Sequence, residues 1–243
     1  MSALREIEDG IWAFDLAPEG ARPWLGPDLP ERLRAVAAEA ESDAVRAVVV
    51  LGGENEFCLG APLASLQDQS RHATRYAAEV PGAMGAIPVP VIAAMSGHAI
   101  GGGFTLGLLG DGAVLSRESL YGANFMALGF PPGMGTTAVL PWWLGPALAH
   151  DMMFSGRLVT GEELRVTPLA PYILPRESVR AEAIELARRM TEAPRASVVA
   201  LRRMLAGRRA DELARAVAEE RAAHEALFAR DDVRRSVDDR YGA

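Results

Sequence analysis

The sequence contains no lysine; all 25 of its basic residues are arginine. No side chain can therefore serve as an amine base or form a Schiff base. Arginine cannot take over, because its guanidinium keeps its proton to beyond about pH 12. Cysteine is almost as scarce. The single thiol, Cys58, excludes an internal disulfide framework and fits a reducing, cytoplasmic setting. No run of eighteen uninterrupted apolar residues occurs, so no membrane span is expected. Met1 to Glu6 lacks the basic-then-apolar order of a signal peptide. Positive charge is in deficit too: the net charge of −7 gives no overall basic field for neutralising phosphates, so nucleic acid is not an expected partner.

What is present describes a globular chain. Apolar residues make up 49% of the 243 and charged residues 23%, enough for a sizeable core. No internal repeat or low-complexity linker stands out. Ile7 to Leu16 mixes apolar and polar positions as a strand does, and Gly20 to Pro30 is a Gly- and Pro-rich loop. Pro30 to Ala40 has helical spacing. Val45 to Leu51 and Val89 to Met95 are β-branched runs that predict buried parallel strands. Gly101 to Leu109 follows as a helix and Ala113 to Leu115 as the next strand, an α/β rhythm. From Ser178 onward the pattern is helical. Ser178 to Met190, Ala196 to Ala206 and Ala210 to Phe228 read as three helices, forming a layer or small subdomain packed on the α/β core or on a neighbouring subunit.

Two segments carry chemistry. Ser96-Gly97-His98-Ala99-Ile100-Gly101-Gly102-Gly103-Phe104 leaves a strand and opens a helix. Its glycines let the backbone approach a ligand, and the first N–H groups of a helix lack intrahelical partners. Such a turn suits an anion or a developing oxyanion. No Lys-Ser/Thr follows, which excludes a P-loop, and the G-x-G-x-x-G spacing is absent. The second segment is Glu56-Phe57-Cys58-Leu59-Gly60-Ala61-Pro62-Leu63, again a strand followed by a glycine turn.

With FCLGAPLASL followed by IPVPVIAAMSGHAIGGGFTLGLLGD, then YGANFMALGFPPGMGTTAVLPWWLG, FSGRLVTGEEL and APRASVVALRRML, the chain resembles the enoyl-CoA hydratase/isomerase (crotonase) family over residues 7 to 240. The resemblance implies an α/β crotonase fold: a ββα-spiral core over residues 1–190 and a C-terminal helical oligomerisation region over 191–243, assembled as a homotrimer or hexamer. It implies a thioester substrate carried on CoA or on the phosphopantetheine of an acyl carrier protein, with no other cofactor and no metal. It places the thioester oxygen between the backbone N–H groups of Ala61 and Gly102. The residues around those turns are the expected substrate contacts: Cys58, Gly60, Gly101, His98, Thr105, Phe125, Met126 and Gly133.

The chain departs from the family's hydratases. Their two water-handling glutamates match Thr105 and Phe125 here, and neither can serve as a carboxylate base, so paired acid–base work on water is lost. AMSGHAIGGGFTLGLLGD, Asn124-Phe125-Met126 and HEALFARDDVRRSVDDRYG are instead similar to the decarboxylase branch of polyketide β-branching. That branch removes the free carboxylate of a glutaconyl thioester to leave an enoyl thioester. It carries a histidine that matches His224 and a lysine in the segment after the first oxyanion turn. The lysine is missing here, and His72, with Arg71, Arg75 and Tyr76, stands nearby. His224 and His72 are the expected proton donors, and Arg234, Arg235 and Arg240 the candidate contacts to a carrier phosphate or an acidic carrier. Cys58, without a base beside it, is expected to be inert. Two rival readings remain at this point: a dehydratase or double-bond isomerase of a related thioester, and a non-catalytic homologue that only binds a carrier protein.

Overall fold

A computed structural model describes residues 2–17, 22–62, 65–66 and 71–241, with the backbone alone described at 71–76 and 241. The chain winds repeatedly between two sheets. Strand β1 (Arg5–Glu8) pairs antiparallel with β2 (Ile11–Asp15). Helix α1 (Leu29–Glu39) leads to β3 (Ala47–Leu51), then β4 (Glu56–Cys58) and α2 (Arg71–Gly85). The same strand–strand–helix unit recurs as β5 (Val91–Met95), β6 (His98–Ile100) and α3 (Gly102–Leu108). It recurs again as β7 (Gly112–Ser116), β8 (Leu120–Gly122) and α4 (Phe125–Leu128). Helices α5 (Thr136–Leu144) and α6 (Pro146–Ser155) and the short strands β9 (Val159–Thr160) and β10 (Ile173–Leu174) follow. Three helices close the chain: α7 (Arg176–Met190), α8 (Arg195–Leu227) and α9 (Asp231–Tyr241).

In each unit the first strand joins a six-stranded sheet of order β1-β2-β3-β5-β7-β10, and the second joins a four-stranded sheet of order β4-β6-β8-β9. This alternation makes the ββα spiral. The pattern of residues explains it. All five positions of β3 are buried, because both faces of the large sheet are covered. Val48 and Val50 point to the main core with Phe57 and Phe104. Ala47, Val49 and Leu51 meet Val179, Ala183 and Leu186 of α7. Each such buried Val or Leu contributes roughly 1.5–3 kcal/mol.

The C-terminal helices differ from the sequence expectation. The two helices predicted over 196–206 and 210–228 are one continuous helix, α8, of 33 residues. Gly207 lies in the gap between the two expected helices. It costs a helix interior only about 1 kcal/mol relative to alanine, and long-range contacts fix α8 on both sides of it. On one side, buried Arg202 pairs with Asp111 at 2.9 Å and donates to the Gly85 and Met84 carbonyls. On the other, buried Glu220 and His224 hold the chain that leads into α5. No helix among the described residues is long and apolar enough to cross a membrane.

Candidate active site

The two glycine turns lie against each other at the ends of β4 and β6. After β4 the chain turns at Gly60, where φ is +84°. The Gly60 carbonyl accepts from the Leu25 N–H at 2.9 Å, and the Leu59 N–H donates to Pro23 at 3.3 Å. The segment 23–25 thus braces the first turn from outside. A methyl group added to Gly60 would stand 3.0 Å from the Ile100 oxygen and 3.7 Å from the Gly102 nitrogen. Ala61, the next residue, therefore adjoins the second turn.

The second turn needs glycine for a definite reason. Gly101 has φ +57°, a region that L side chains rarely adopt. A Cβ there would also sit 3.0 Å from Asn124 Oδ1 and 3.8 Å from the Phe125 ring. The Gly101 N–H donates to the Gly122 oxygen at 2.7 Å. Gly103 lies so close to the Cys58 carbonyl that a Cβ would collide with it, which fixes α3 directly behind β4. Between these two, Gly102 opens α3. Among the described residues none accepts its N–H. Since α3 has only seven residues, what it offers an oxyanion is this hydrogen bond more than a large macrodipole.

Around the turns the surroundings are dry. Phe125 is 9% exposed, and its ring makes an edge contact with Phe130 at 6.0 Å between centroids. Thr105 is fully buried, and its hydroxyl lies 2.6 Å from that of Thr136. Thr136 donates its own hydrogen to the Gly133 carbonyl, so Thr105 is the donor of the pair. Helix α3 is thereby tied to the first turn of α5. Cys58 is buried, and desolvation pushes its thiol up to about 12, only partly offset by the Gly60 N–H. A thiol kept protonated in this way lacks the thiolate that reactivity requires.

The segment 129–135 forms the opposite wall. It carries positive φ at Gly129, Met134 and Gly135, and Met134, at +64°, is the one non-glycine residue with this geometry among the described residues. That conformation costs an ordinary residue roughly 1–2 kcal/mol, so the surroundings must hold it. Met134 covers the second turn: a methyl on Gly102 would meet Met134 Sδ at 2.7 Å and Leu25 Cδ1 at 2.6 Å. The holding groups come from α8. A carbonyl can only accept, so the His224 Nε2 carries hydrogen and donates to Pro131 at 2.7 Å. The ring lies 2.8 Å from where a Gly133 Cβ would be and meets Phe130 and Phe228 edge-on. Burial drives its pKa below the ordinary value, against the two proline carbonyls that favour the cation. One turn earlier, Glu220 accepts from the Gly135 N–H at 2.6 Å, the Thr137 N–H at 2.8 Å and the Thr137 hydroxyl at 2.7 Å. Burial outweighs those three donors and raises its carboxyl.

The structure therefore brings together Cys58, Gly60, Ala61, Gly101, Gly102, Thr105, Phe125 and Gly133. His224 joins them only through Gly133 and the Phe130 ring. His98 takes a different place: its Nδ1 accepts from the Leu120 N–H at 2.9 Å, which staples β6 to β8. Met126 turns outward and is 40% exposed. The side chains of Arg71, His72, Arg75 and Tyr76 lie outside the described residues. Arg234 and Arg235 line a cleft with Leu66, Phe228, Val237, Asp231 and Asp238, between α9 and the segment that follows the first turn, and Arg234 pairs with Asp231. Arg240 donates to the Ala127 carbonyl. Leu25, Met134, Thr136 and Glu220 were not legible as site residues. A left-handed methionine leaves no mark in sequence, and Glu220 is one glutamate among many on an Arg- and Glu-rich helix.

Residues 25–241 match the model of the enoyl-CoA hydratase/isomerase family, and the chain belongs to that family. Within it the chain is 37% identical over 241 residues to the bacillaene synthase decarboxylase PksI of Bacillus subtilis (strain 168), covering 98% of this chain and 97% of that protein. It superposes with a TM-score of 0.86 on the ECH2 decarboxylase domain of CurF from Lyngbya majuscula, at 30% identity over 98% of this chain and 99% of that one. A structure from a dehydratase/decarboxylase enzyme couple involved in polyketide β-branching matches with a TM-score of 0.87 and 34% identity, over 97% of this chain and 94% of that one.

Proposed function

We propose that this protein is a decarboxylating carbon–carbon lyase. It acts on a glutaconyl-type thioester, held on an acyl carrier protein or CoA, in polyketide β-branching. The observation that carries the reading is Phe125. Its ring faces Gly101 at the position where a hydratase of this family has a carboxylate. Thr105, at the other such position, is spent on Thr136. A dry pocket leaves a departing carboxylate without solvation and favours its loss as neutral CO₂. The similarity to decarboxylases over nearly the full chain supports the same reading.

In the proposed reaction the bond to the free carboxylate breaks and CO₂ leaves. Its electron pair moves through the conjugated system onto the thioester oxygen. The N–H groups of Ala61 and Gly102 receive that charge, worth roughly 3 kcal/mol each. One proton then returns to carbon and yields the enoyl thioester. His224 is the proposed donor, and it acts as the cation. The ring takes up that second proton from water and passes it to the dienolate carbon once CO₂ has left. His72 is the alternative donor. Arg234 and Arg235 are proposed to meet the phosphate of the carrier arm. Incubating the protein with a glutaconyl-loaded carrier and following intact mass tests the reaction class. Loss of CO₂ is expected. Loss of water from a carrier loaded instead with the 3-hydroxyglutaryl precursor would make it a dehydratase; an unchanged mass on the glutaconyl carrier would make it an isomerase if the double bond has moved, and a binding homologue if the bond has not moved and carrier binding is retained.

A further inference from the structure

We propose that Glu220, on the C-terminal helix α8, is a positioning residue of the active site. It holds the segment that presses Met134 onto Gly102 and so fixes the wall that faces the second oxyanion donor. The inference rests on the oxyanion reading above and deepens it.

The geometry favours a directed role. Glu220 is 6% exposed and lies 83 to 85 residues from the groups it binds. Its two oxygens receive three donors: one takes the Gly135 N–H, the other both the N–H and hydroxyl of Thr137. Burying a carboxylate is costly unless hydrogen bonds replace its water. These three do so, and they satisfy N–H groups at the start of α5 that no intrahelical carbonyl reaches. Immediately before them stands Met134, in its left-handed conformation. Its sulfur blocks the space over Gly102. Relaxing the Gly135 anchor would let Met134 leave that conformation, and the thioester would lose the surface that sets its oxygen against the Gly102 N–H. Displacements on the order of 1 Å at such a site cost about 10²-fold in rate.

Glutamine is the discriminating substitution. It matches glutamate in shape but replaces one acceptor oxygen with an NH₂ group, which must face either the Gly135 N–H or the Thr137 N–H, donor against donor. Thr137→Val, at an exposed position, removes a single donor and serves as the second variant should Glu220→Gln fold poorly. Two readouts are needed: kcat and KM on the carrier-bound substrate, and the infrared carbonyl stretch of bound ¹³C-labelled butyryl-pantetheine, a thioester with no carboxylate to lose. A working oxyanion hole lowers that stretch. Wild type is expected to lower it. Glu220→Gln should lose much of that shift and drop kcat by about 10–100-fold, with KM within about twofold. Thr137→Val should do the same to a smaller degree. A role in stability alone would lower the melting temperature and leave the stretch and kcat of the folded enzyme unchanged. That result in Glu220→Gln, or in Thr137→Val if the first variant does not fold, overturns the proposal. A wild-type protein that leaves the stretch unshifted overturns the oxyanion reading itself.

Discussion

The two walls of the site are built in opposite ways. The turns at Gly60 and Gly101 are held by backbone: strand pairing, the Gly101 to Gly122 hydrogen bond and the contact of Gly103 with the Cys58 carbonyl. The 129–137 segment is held by side chains from a helix almost 90 residues further on, Glu220 and His224, and by the Thr105–Thr136 pair. Backbone donors keep their place whatever the neighbouring side chains do, provided glycine is there. A wall clamped by side chains can be retuned by single substitutions. The fold thus fixes where charge is received and leaves variable what surrounds it.

The largest effect should come from the clamped wall. His224→Ala is expected to slow product formation by roughly 10²–10⁴-fold if the ring supplies the proton. His224→Gln separates proton delivery from support, since its amide can still donate to Pro131. Glutamine as slow as alanine assigns proton transfer; glutamine as fast as wild type leaves His224 with the wall alone.

The backbone wall is probed at Gly102. The structure complicates a simple proline test, because any side chain there meets Leu25 and Met134. Gly102→Ala therefore measures the crowding, and Gly102→Pro adds loss of the N–H. Proline should cost about 10²–10³-fold in kcat beyond alanine, the usual magnitude for one oxyanion donor. Equal activities in two folded variants would remove Gly102 from the mechanism.

Phe125→Glu puts a carboxylate against the turn. Decarboxylation should slow by about tenfold or more, because a charge there repels the substrate carboxylate and draws in water. A faster variant would reverse the meaning of Phe125, and a gain of hydration activity would place the chain close to the family's hydratases.

The smallest effect concerns acid stability. Burial holds His224 below its ordinary value, so the unfolded chain takes up a proton near pH 6.5 that the folded chain still refuses. The stability owed to the neutral ring is full above about pH 6.5 and is lost as pH falls through the lower folded value. Glu220 has the opposite sign. Its carboxyl is raised, so the folded chain gains stability as pH falls through that raised value. Urea melts between pH 7 and 5 should show a shallower loss for His224→Gln than for wild type, and an unchanged slope would show that another group controls acid unfolding.

The same division explains what the sequence disclosed. β3 and β5 announce themselves as apolar runs because both their faces are covered, and the glycines at 60 and 101–103 mark turns that no other residue fits. The ββα spiral came from family resemblance. The two- and three-residue strands of the small sheet are too short to carry a periodicity of their own. The break expected between Ala206 and Ala210 does not occur, because tertiary contacts hold the helix on both sides of it. Glu220 and Thr136 were invisible because their significance lies in pairs far apart in sequence, and a surface glutamate and a buried one are written with the same letter.

The burial of Cys58 has a practical consequence. With its thiol buried and pushed up to about 12 and no lysine anywhere in the chain, the protein is expected to react slowly with maleimides and to offer no side-chain amine to amine reagents. A cysteine introduced at the outward-facing Met126 would be its sole readily labelled thiol. One fluorophore or crosslinker could be placed there without any need to strip competing sites from the background.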